Sequence, residues 1–136
     1  MDRKLLEQEL AMDEGKKDKM YLDERGVPTI GIGHNLRDDP ISNAAISQIF
    51  QDDVNAVIAE LDAQIPWYRE LSDTRQRVLA NMAYNLGIHG LLEFHHMLTA
   101  VKASDWKAAG TYMLASNWAK QVPVRANRLA RMMLAG

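Results

Sequence analysis

One short stretch of β-type sequence interrupts a chain that otherwise follows a helical repeat. Between Met20 and Ile32, two β-type runs, YLD and PTIGIG, are joined by a turn at Glu24, Arg25 and Gly26. This is the only strand pattern in the 136 residues, and it lies near the amino terminus. The pattern therefore predicts an α+β fold that is mostly α, with a small N-terminal β-hairpin or sheet.

The predicted helices are marked by apolar residues at helical spacing and by residues that favour helix ends. The first covers residues 3–13 and is capped by Gly15. A long second helix opens at Pro40 and ends at Pro66. Four more follow: one capped by Ser72 and ended by Gly87, one with apolar residues from Leu91 to Val101, one capped by Ser104, and one that starts at Pro123.

The length of the chain fits one domain that buries a core without metal or disulfide bonds. We predict a single domain over residues 1–136 with two lobes. A small sheet lobe covers about residues 14–50, and a C-terminal helical bundle covers about residues 51–136 together with the N-terminal helix. The long helix connects the lobes. The sequence contains no cysteine, which excludes thiolate chemistry and cysteine metal sites.

Charge is distributed unevenly along the chain. Residues 1–62 carry fourteen acidic and seven basic side chains, whereas residues 63–136 carry four acidic and nine basic ones. A cationic second half suits a polyanionic partner such as nucleic acid or a bacterial envelope. A solvated basic face is an equally good interpretation of the same pattern.

The first fifteen residues, MDRKLLEQELAMDEG, mix both signs of charge among their apolar residues. This pattern fits neither a signal peptide nor a transmembrane span, so we expect no stable membrane insertion. If the protein acts outside the membrane, another component must let it across.

Glu14, Asp23 and Thr29 place two carboxylates and a hydroxyl on different elements around the β-type stretch. Glycosidic cleavage needs an acid that protonates the leaving oxygen and a carboxylate that guides a water or attacks the anomeric carbon itself. Glu14, at a helix end where we expect partial burial, is the better acid candidate. Asp23, in a more open turn region, is the better carboxylate, and Thr29 is placed to hold a water. Taken alone, such a pair is more often two solvated surface groups.

Three motifs surround these residues: DEG, YLDERG and TIGIGH. They resemble the catalytic stretch of the phage-type lysozymes, which are endolysin muramidases. In that family a Glu, a spacer of eight residues, an Asp, a spacer of five and a Thr form the catalytic triad, and Glu14, Asp23 and Thr29 stand at those spacings here. NMAYNLG at 81–87 resembles the family's far cleft wall, and NWAKQVPVRANR at 117–128 resembles its C-terminal signature. The resemblance therefore covers most of the chain.

The resemblance implies a lysozyme-like two-lobed fold and a glycoside hydrolase. The implied reaction is hydrolysis of the β-1,4 bond between N-acetylmuramic acid and N-acetylglucosamine in bacterial peptidoglycan, without metal or cofactor. Glu14 would be the general acid, and Asp23 with Thr29 would position the attacking water. The family inverts configuration by a single displacement, which calls for carboxyl groups roughly 6.5–9.5 Å apart.

The resemblance also implies a set of substrate-binding residues. Arg125 and Arg128 match the family's C-terminal Arg positions, which close against the catalytic Glu, although a solvated basic face is the alternative. For His34, the alternative to substrate binding is an ordinary structural ion pair with Asp53. The full predicted set is His34, Asn35, Asn81, Tyr84, Asn85, Tyr112, Arg125 and Arg128. Trp118, by contrast, is predicted to lie in the core.

One departure from the family concerns the segment after the motifs. Only fifteen residues separate His34 from Phe50, where longer members carry an extra helix or loop beneath the cleft. This shortening leaves the triad intact but makes substrate range the least transferable inference. It also keeps open an alternative class, a catalytically weak wall-binding or scaffold module with the same fold.

A third class, a helical nucleic-acid binder, is disfavoured by the sequence. MAYNLGIHGLLEF has the spacing of a helix-turn-helix but lacks the basic and polar residues that read base edges. We therefore expect peptidoglycan and no nucleic acid as the partner. The resemblance implies a monomeric phage or prophage lysis enzyme. It would wait in the host cytoplasm and act on the cell wall after release through a separate membrane pore, a holin.

Overall fold

The computed structural model describes residues 1–136 and contains seven α-helices, a 3₁₀ helix and a three-stranded antiparallel sheet. The helices are α1 (Arg3–Glu14), α2 (Asn43–Gln64), α3 (Asp73–Leu92), α4 (His95–Lys102), α5 (Trp106–Leu114), α6 (Asn117–Gln121) and α7 (Pro123–Ala135). The strands are β1 (Lys17–Leu22), β2 (Pro28–Gly31) and β3 (His34–Asn35), and the 3₁₀ helix is Pro66–Glu70. The predicted α+β, mostly α fold with a small N-terminal sheet is confirmed.

The chain divides into two compact units, which we call the small unit (Met1–Gln48) and the helical unit (Ile49–Gly136). The small unit contains α1, the whole sheet and the start of α2, and the helical unit contains the remaining elements. The prediction of a single domain with two lobes stays a prediction. The assignment of residues 3–13 to the helical lobe stays one as well.

The first helix begins and ends at side chains and backbone groups that satisfy its free ends. The Asp2 side chain accepts a hydrogen bond from the Leu5 N–H at 3.0 Å. At the other end Gly15 has φ 71°, and its N–H donates to the Ala11 carbonyl. Such a positive φ suits glycine and stops the helix. Glu14 is therefore the last residue of α1.

The sheet is built around β2. Its Thr29 lies opposite Tyr21 of β1, and its Ile30 lies opposite His34 of β3, both in antiparallel pairing. The structure extends β1 back to Lys17, which the β-type pattern did not predict. All residues of β1 except Tyr21 are exposed, so the strand has no buried face whose alternation a sequence pattern would show.

The start of α2 differs from the prediction. The helix begins at Asn43, three residues after Pro40, and the Ser42 hydroxyl accepts a hydrogen bond from the Ala45 N–H at 3.2 Å. The predicted start at Pro40 is therefore wrong, because the side chain that satisfies the free N–H groups of the first turn belongs to Ser42. At the other end, Pro66 begins a 3₁₀ helix that was not predicted.

The later helix ends are a mixture of confirmed and wrong predictions. Ser72 caps α3 as predicted, whereas Asp105 rather than Ser104 caps α5, by accepting from the Ala108 N–H at 3.0 Å. Gly87 ends the helical geometry as predicted, with φ 75° and ψ 159°, so α3 consists of two helical segments joined at a kink, and the second segment continues to Leu92.

Two more helix boundaries near the C-terminus were missed. The helix predicted from Leu91 starts at His95 instead, because Leu91 and Leu92 complete α3. The short helix α6, capped by the Ser116 side chain, was not predicted at all. It contains only Asn117–Gln121, too few residues to show a helical repeat.

One hydrophobic cluster fills the helical unit. It runs from Leu61 in α2 to Met133 in α7 and includes Trp118, which is 4% exposed, as predicted for a core residue. Burial of a Leu- or Met-sized side chain contributes about 1.5–3 kcal/mol. In the small unit only Val27 and Thr29 are buried. No helix combines the length and the apolar character needed to cross a membrane.

Arg75 fastens the C-terminal end of α7 in the helical unit. Its Nε donates to the Met133 carbonyl at 2.9 Å and its Nη2 donates to the Leu134 carbonyl at 3.4 Å. The guanidinium carbon also lies 3.7 Å from the centre of the Trp106 ring. A cation at this position satisfies carbonyls that the end of a helix leaves free.

We predict that Arg75→Ala lowers the free energy of unfolding by about 2 kcal/mol, because it removes charged hydrogen bonds and a cation–π contact. The matched control is Arg77→Ala, which removes an exposed pair with Asp73 and a long hydrogen bond to the Thr74 hydroxyl and should cost about 0.3–0.5 kcal/mol. Urea denaturation measures both losses. Equal losses in the two variants would contradict this account of Arg75.

Candidate active site

Asp23 follows β1 and closes the turn that leads into β2. Its Oδ1 accepts hydrogen bonds from the N–H groups of Arg25, at 2.8 Å, and Val27, at 2.9 Å. The Asp23 N–H in turn donates to the Val27 carbonyl at 3.0 Å. The carboxylate is thus held through one oxygen, while Oδ2 has only the loose contact with the Arg25 guanidinium at 3.9 Å.

These contacts also set the ionisation of Asp23. The pKa of its carboxyl is lowered from the ordinary value of 3.8, first because the Val27 N–H donates to the charged form. Desolvation opposes this effect, and the Arg25 N–H and the charges of Arg25 and Arg37 support it. Asp23 is therefore a carboxylate throughout the neutral range.

Thr29 lies in the middle of β2 and is 4% exposed. Its hydroxyl donates to the Val27 carbonyl at 2.8 Å, which is the same carbonyl that accepts from the Asp23 N–H. A hydroxyl has one proton to donate and can still accept. Thr29 can therefore offer a further partner only its oxygen lone pairs.

Glu14 packs against the backbone of Gly33. A Cβ placed on Gly33 would lie 2.7 Å from the Glu14 Cδ and 2.7 Å from its Oε2, so the position is open to the carboxyl only because the residue is glycine. Gly33 also has φ +70°. The Glu14 side chain is exposed, so the expected partial burial is wrong. The carboxyl lies at the surface because α1 ends at Glu14.

The other two predicted residues of the small unit have different surroundings. His34 is half-buried in β3, and its Nε2 is buried without a hydrogen-bond partner. Asn35 is occupied by the turn that follows: its Oδ1 accepts from the N–H groups of Arg37 and Asp38, and its Nδ2 donates to the Asp38 carboxylate. Asn35 is thus engaged in local structure, which leaves its predicted substrate role without support from its contacts.

In the helical unit, the structure brings four of the predicted residues together. Asn81 and Tyr84 of α3 and Arg125 and Arg128 of α7 line one hollow of about 530 Å³. The rest of its lining is mostly apolar and includes Phe50 of α2. Polar groups converging on an apolar hollow are typical of a ligand site.

Asn85 and Tyr112 are placed differently. Asn85 lines a second hollow of about 460 Å³ that shares Arg125 and Arg128 with the first, and its Oδ1 accepts from the Trp118 Nε1 at 2.8 Å. Tyr112 lies outside both hollows, and its ring stacks on His96 with centroids 5.4 Å apart. The structure therefore groups Asn85 with the predicted cleft wall and leaves Tyr112 apart from it.

In each unit, residues next to the predicted ones were missed. Arg77 lies one helical turn before Asn81, and Met132 lies one turn after Arg128, and both line the larger hollow. Extending the two helical faces by one turn would have found them. Arg37 donates from Nη2 to the Gly26 carbonyl at 3.2 Å, eleven residues away. No sequence spacing signals such a contact.

We predict that Gly33→Ala displaces the Glu14 carboxyl, because the added Cβ would occupy its place. The matched control is Gly31→Ala: Gly31 has nearly the same φ, +69°, but nothing within 4 Å of an added Cβ. Both variants should lose about 1 kcal/mol of folding stability from the positive φ. Only Gly33→Ala should shift the carboxyl ¹³C resonance of Glu14, and an equal shift in Gly31→Ala would contradict the contact.

The lowered pKa of Asp23 predicts a pH dependence of stability. A carboxyl whose pKa is lower in the folded state stabilises the fold above its unfolded pKa, and this contribution is lost as pH falls through the folded value. We expect Asp23→Asn, which keeps an oxygen acceptor for the turn, to flatten the fall in unfolding free energy below about pH 4. A slope identical to that of the unsubstituted protein, measured by urea denaturation at several pH values, would contradict it.

The sequence model of the phage lysozyme family matches residues 11–131. The pre-baseplate central spike protein Gp5 of Enterobacteria phage T4 is 31% identical, over 93% of this chain and 27% of the spike protein's own length. The chain therefore spans only part of that relative. Two proteins of Dictyostelium discoideum, probable T4-type lysozymes 1 and 2, are 26% and 28% identical, over 93% and 88% of this chain and 92% and 88% of their own lengths. Because the family match covers most of the sequence, including Glu14, Asp23 and Thr29, the chain belongs to the phage lysozyme family.

Proposed function

We propose that this protein is a muramidase that hydrolyses the β-1,4 bond between N-acetylmuramic acid and N-acetylglucosamine in peptidoglycan. Membership of the phage lysozyme family and similarity to T4-type lysozymes support a muramidase-like function. The observation that carries the finer proposal is the way Asp23 and Thr29 are tied to Val27. It leaves one oxygen on each side chain free to accept hydrogen bonds.

The free oxygens suit a water that attacks the anomeric carbon. Because the Thr29 hydroxyl already donates to the Val27 carbonyl, its oxygen accepts one hydrogen bond from the water. Asp23 Oδ2 accepts a second hydrogen bond from the water, since Oδ1 already accepts from two N–H groups. A water that donates two hydrogen bonds in this way directs its lone pairs toward the anomeric carbon. The Asp23 carboxylate takes up one proton of the water as the new bond between oxygen and carbon forms.

Glu14 is the proposed general acid. Its carboxyl is exposed at the end of α1 and is therefore accessible to a glycosidic oxygen. It protonates that oxygen as the glycosidic bond breaks, while water adds to the opposite face of the sugar. The single displacement inverts the anomeric configuration and forms no glycosyl-enzyme intermediate.

The hollow of the helical unit is proposed to bind saccharide. The Asn81 amide and the Tyr84 hydroxyl are suited to N-acetyl groups and sugar hydroxyls. Tyr84 already donates weakly to Asp53 at 3.4 Å and packs its ring edge against Phe50. Arg125 and Arg128 offer guanidinium N–H donors to carbonyl and hydroxyl oxygens of the saccharide.

The biological setting is proposed on the same family grounds. The protein would be a monomer that lyses a bacterial host from the cytoplasm, and a separate membrane pore would admit it to the wall. Similarity to a phage central spike protein favours a second setting, in which the same hydrolase is part of a larger phage protein. Nucleic acid has no part in either setting.

The decisive experiment is a digest of purified peptidoglycan, with the new sugar ends identified by mass spectrometry. We expect new reducing N-acetylmuramic acid ends, and a loss of at least about 10²-fold in their rate of formation with Glu14→Gln, because a general acid contributes that much or more. Glu9→Gln, a neutralised carboxyl on the same helix, is the matched control and should retain activity.

Two outcomes would overturn the proposal. New reducing N-acetylglucosamine ends would identify a different glycosidase. Intact peptidoglycan with a folded, unsubstituted protein would favour the alternative, a catalytically weak wall-binding or scaffold module with a lysozyme fold.

A further inference from the structure

A single peptide group connects an arginine to Asp23. The carbonyl of the Gly26–Val27 peptide accepts a hydrogen bond from Arg37 Nη2 at 3.2 Å. The N–H of the same peptide donates to Asp23 Oδ1 at 2.9 Å. The peptide thus lies between a cation on its carbonyl side and an anion on its N–H side.

The segment that carries Arg37 is itself fixed to the sheet. The Leu36 N–H donates to the Pro28 carbonyl at 2.8 Å. The Arg37 N–H donates to Asn35 Oδ1 at 2.9 Å, in the turn that directly follows β3. Asn35, which was predicted to bind substrate, is therefore positioned to anchor the backbone of Arg37.

The charge of Arg37 also strengthens the hydrogen bond from the Val27 N–H to Asp23. A hydrogen bond from a charged donor polarises the peptide carbonyl, and a polarised peptide is a stronger N–H donor to its next partner. The Arg37 charge is also among the causes that hold the pKa of Asp23 below its ordinary value. Both effects favour a fixed, ionised carboxylate.

Arg25 makes a different contact with the same carboxylate. Its guanidinium lies 3.9 Å from Asp23 Oδ2, and its side chain is 84% exposed. An exposed cation at this distance holds its partner weakly. Arg37 is exposed as well, but it acts from the Oδ1 side, through the hydrogen-bonded Gly26–Val27 peptide, and not at Oδ2, the oxygen proposed to hold the water.

We infer that Arg37 is a positioning residue for Asp23 and acts through the Gly26–Val27 peptide. The inference rests on the proposed role of Asp23 as the carboxylate that orients the attacking water. It assigns a role in positioning Asp23 to the turn after β3, which lies outside the three catalytic motifs. It also gives a role to Asn35, whose Oδ1 accepts from the Arg37 and Asp38 N–H groups and so holds the backbone of Arg37.

The test combines kinetics with NMR on the full chain. We expect Arg37→Ala to lower kcat on peptidoglycan by roughly 10-fold with KM nearly unchanged, which is less than the ~10²-fold typical of losing a donor in direct contact with the reacting atoms. The Val27 amide proton should move upfield and exchange faster, because its hydrogen bond to Asp23 weakens. Arg37→Lys, which keeps a charged donor, should recover most of both effects.

Lys19→Ala is the matched control for the loss of one positive charge, since Lys19 is an exposed residue of β1 in the same unit. It should leave the Val27 amide proton where it is. If Arg37→Ala does not fold, Arg37→Gln, which keeps a neutral donor, should still show a smaller upfield shift and a smaller fall in kcat.

The inference is overturned if kcat falls without a change at the Val27 amide, or if neither changes in any Arg37 variant. Failure of the proposed function has a different signature. An unsubstituted protein that leaves peptidoglycan intact would refute the muramidase, while the Val27 amide would still report whether Arg37 acts on the Asp23 turn.

Discussion

The backbone of Val27 holds the candidate site together. Its N–H donates to Asp23 Oδ1, and its carbonyl accepts from both the Asp23 N–H and the Thr29 hydroxyl. Because Val27 and Thr29 are the two buried residues of the small unit, these bonds are shielded from competing water. A carboxylate in a turn and a hydroxyl in a strand thereby acquire fixed positions from a single residue.

The proposed chemistry is concentrated in short local elements, and stability lies elsewhere. Glu14, Asp23 and Thr29 come from a helix end, a turn and a strand of the small unit, which has little buried apolar surface. The helical unit contains the large hydrophobic cluster and the Arg75 contacts with α7. The positions of these side chains in the small unit therefore depend on hydrogen bonds more than on packing.

The sequence predicted those parts of the structure that local patterns determine. Gly15 at the end of α1 and the β-type run both follow from short-range rules. Family spacing assigned Glu14, Asp23 and Thr29 to catalysis, and those roles stay predictions. Neighbouring residues of similar capping ability led to errors, as where Asp105 rather than Ser104 caps α5. The Arg37 contact with Gly26 was not predictable, because it joins two turns that are eleven residues apart in the sequence. The Asn35 hydrogen bonds are local, to Arg37 and Asp38, and a turn pattern after β3 could have indicated them.

The central claim is that Asp23 and Thr29 hold a water that attacks directly while Glu14 protonates the leaving oxygen. The anomeric configuration of the first product tests this claim most directly, and ¹H NMR can follow it on a soluble peptidoglycan oligosaccharide before mutarotation. The account predicts that a β-linked substrate first releases the α-anomer. Initial release of the β-anomer would show retention of configuration, and with it a covalent intermediate that this account excludes.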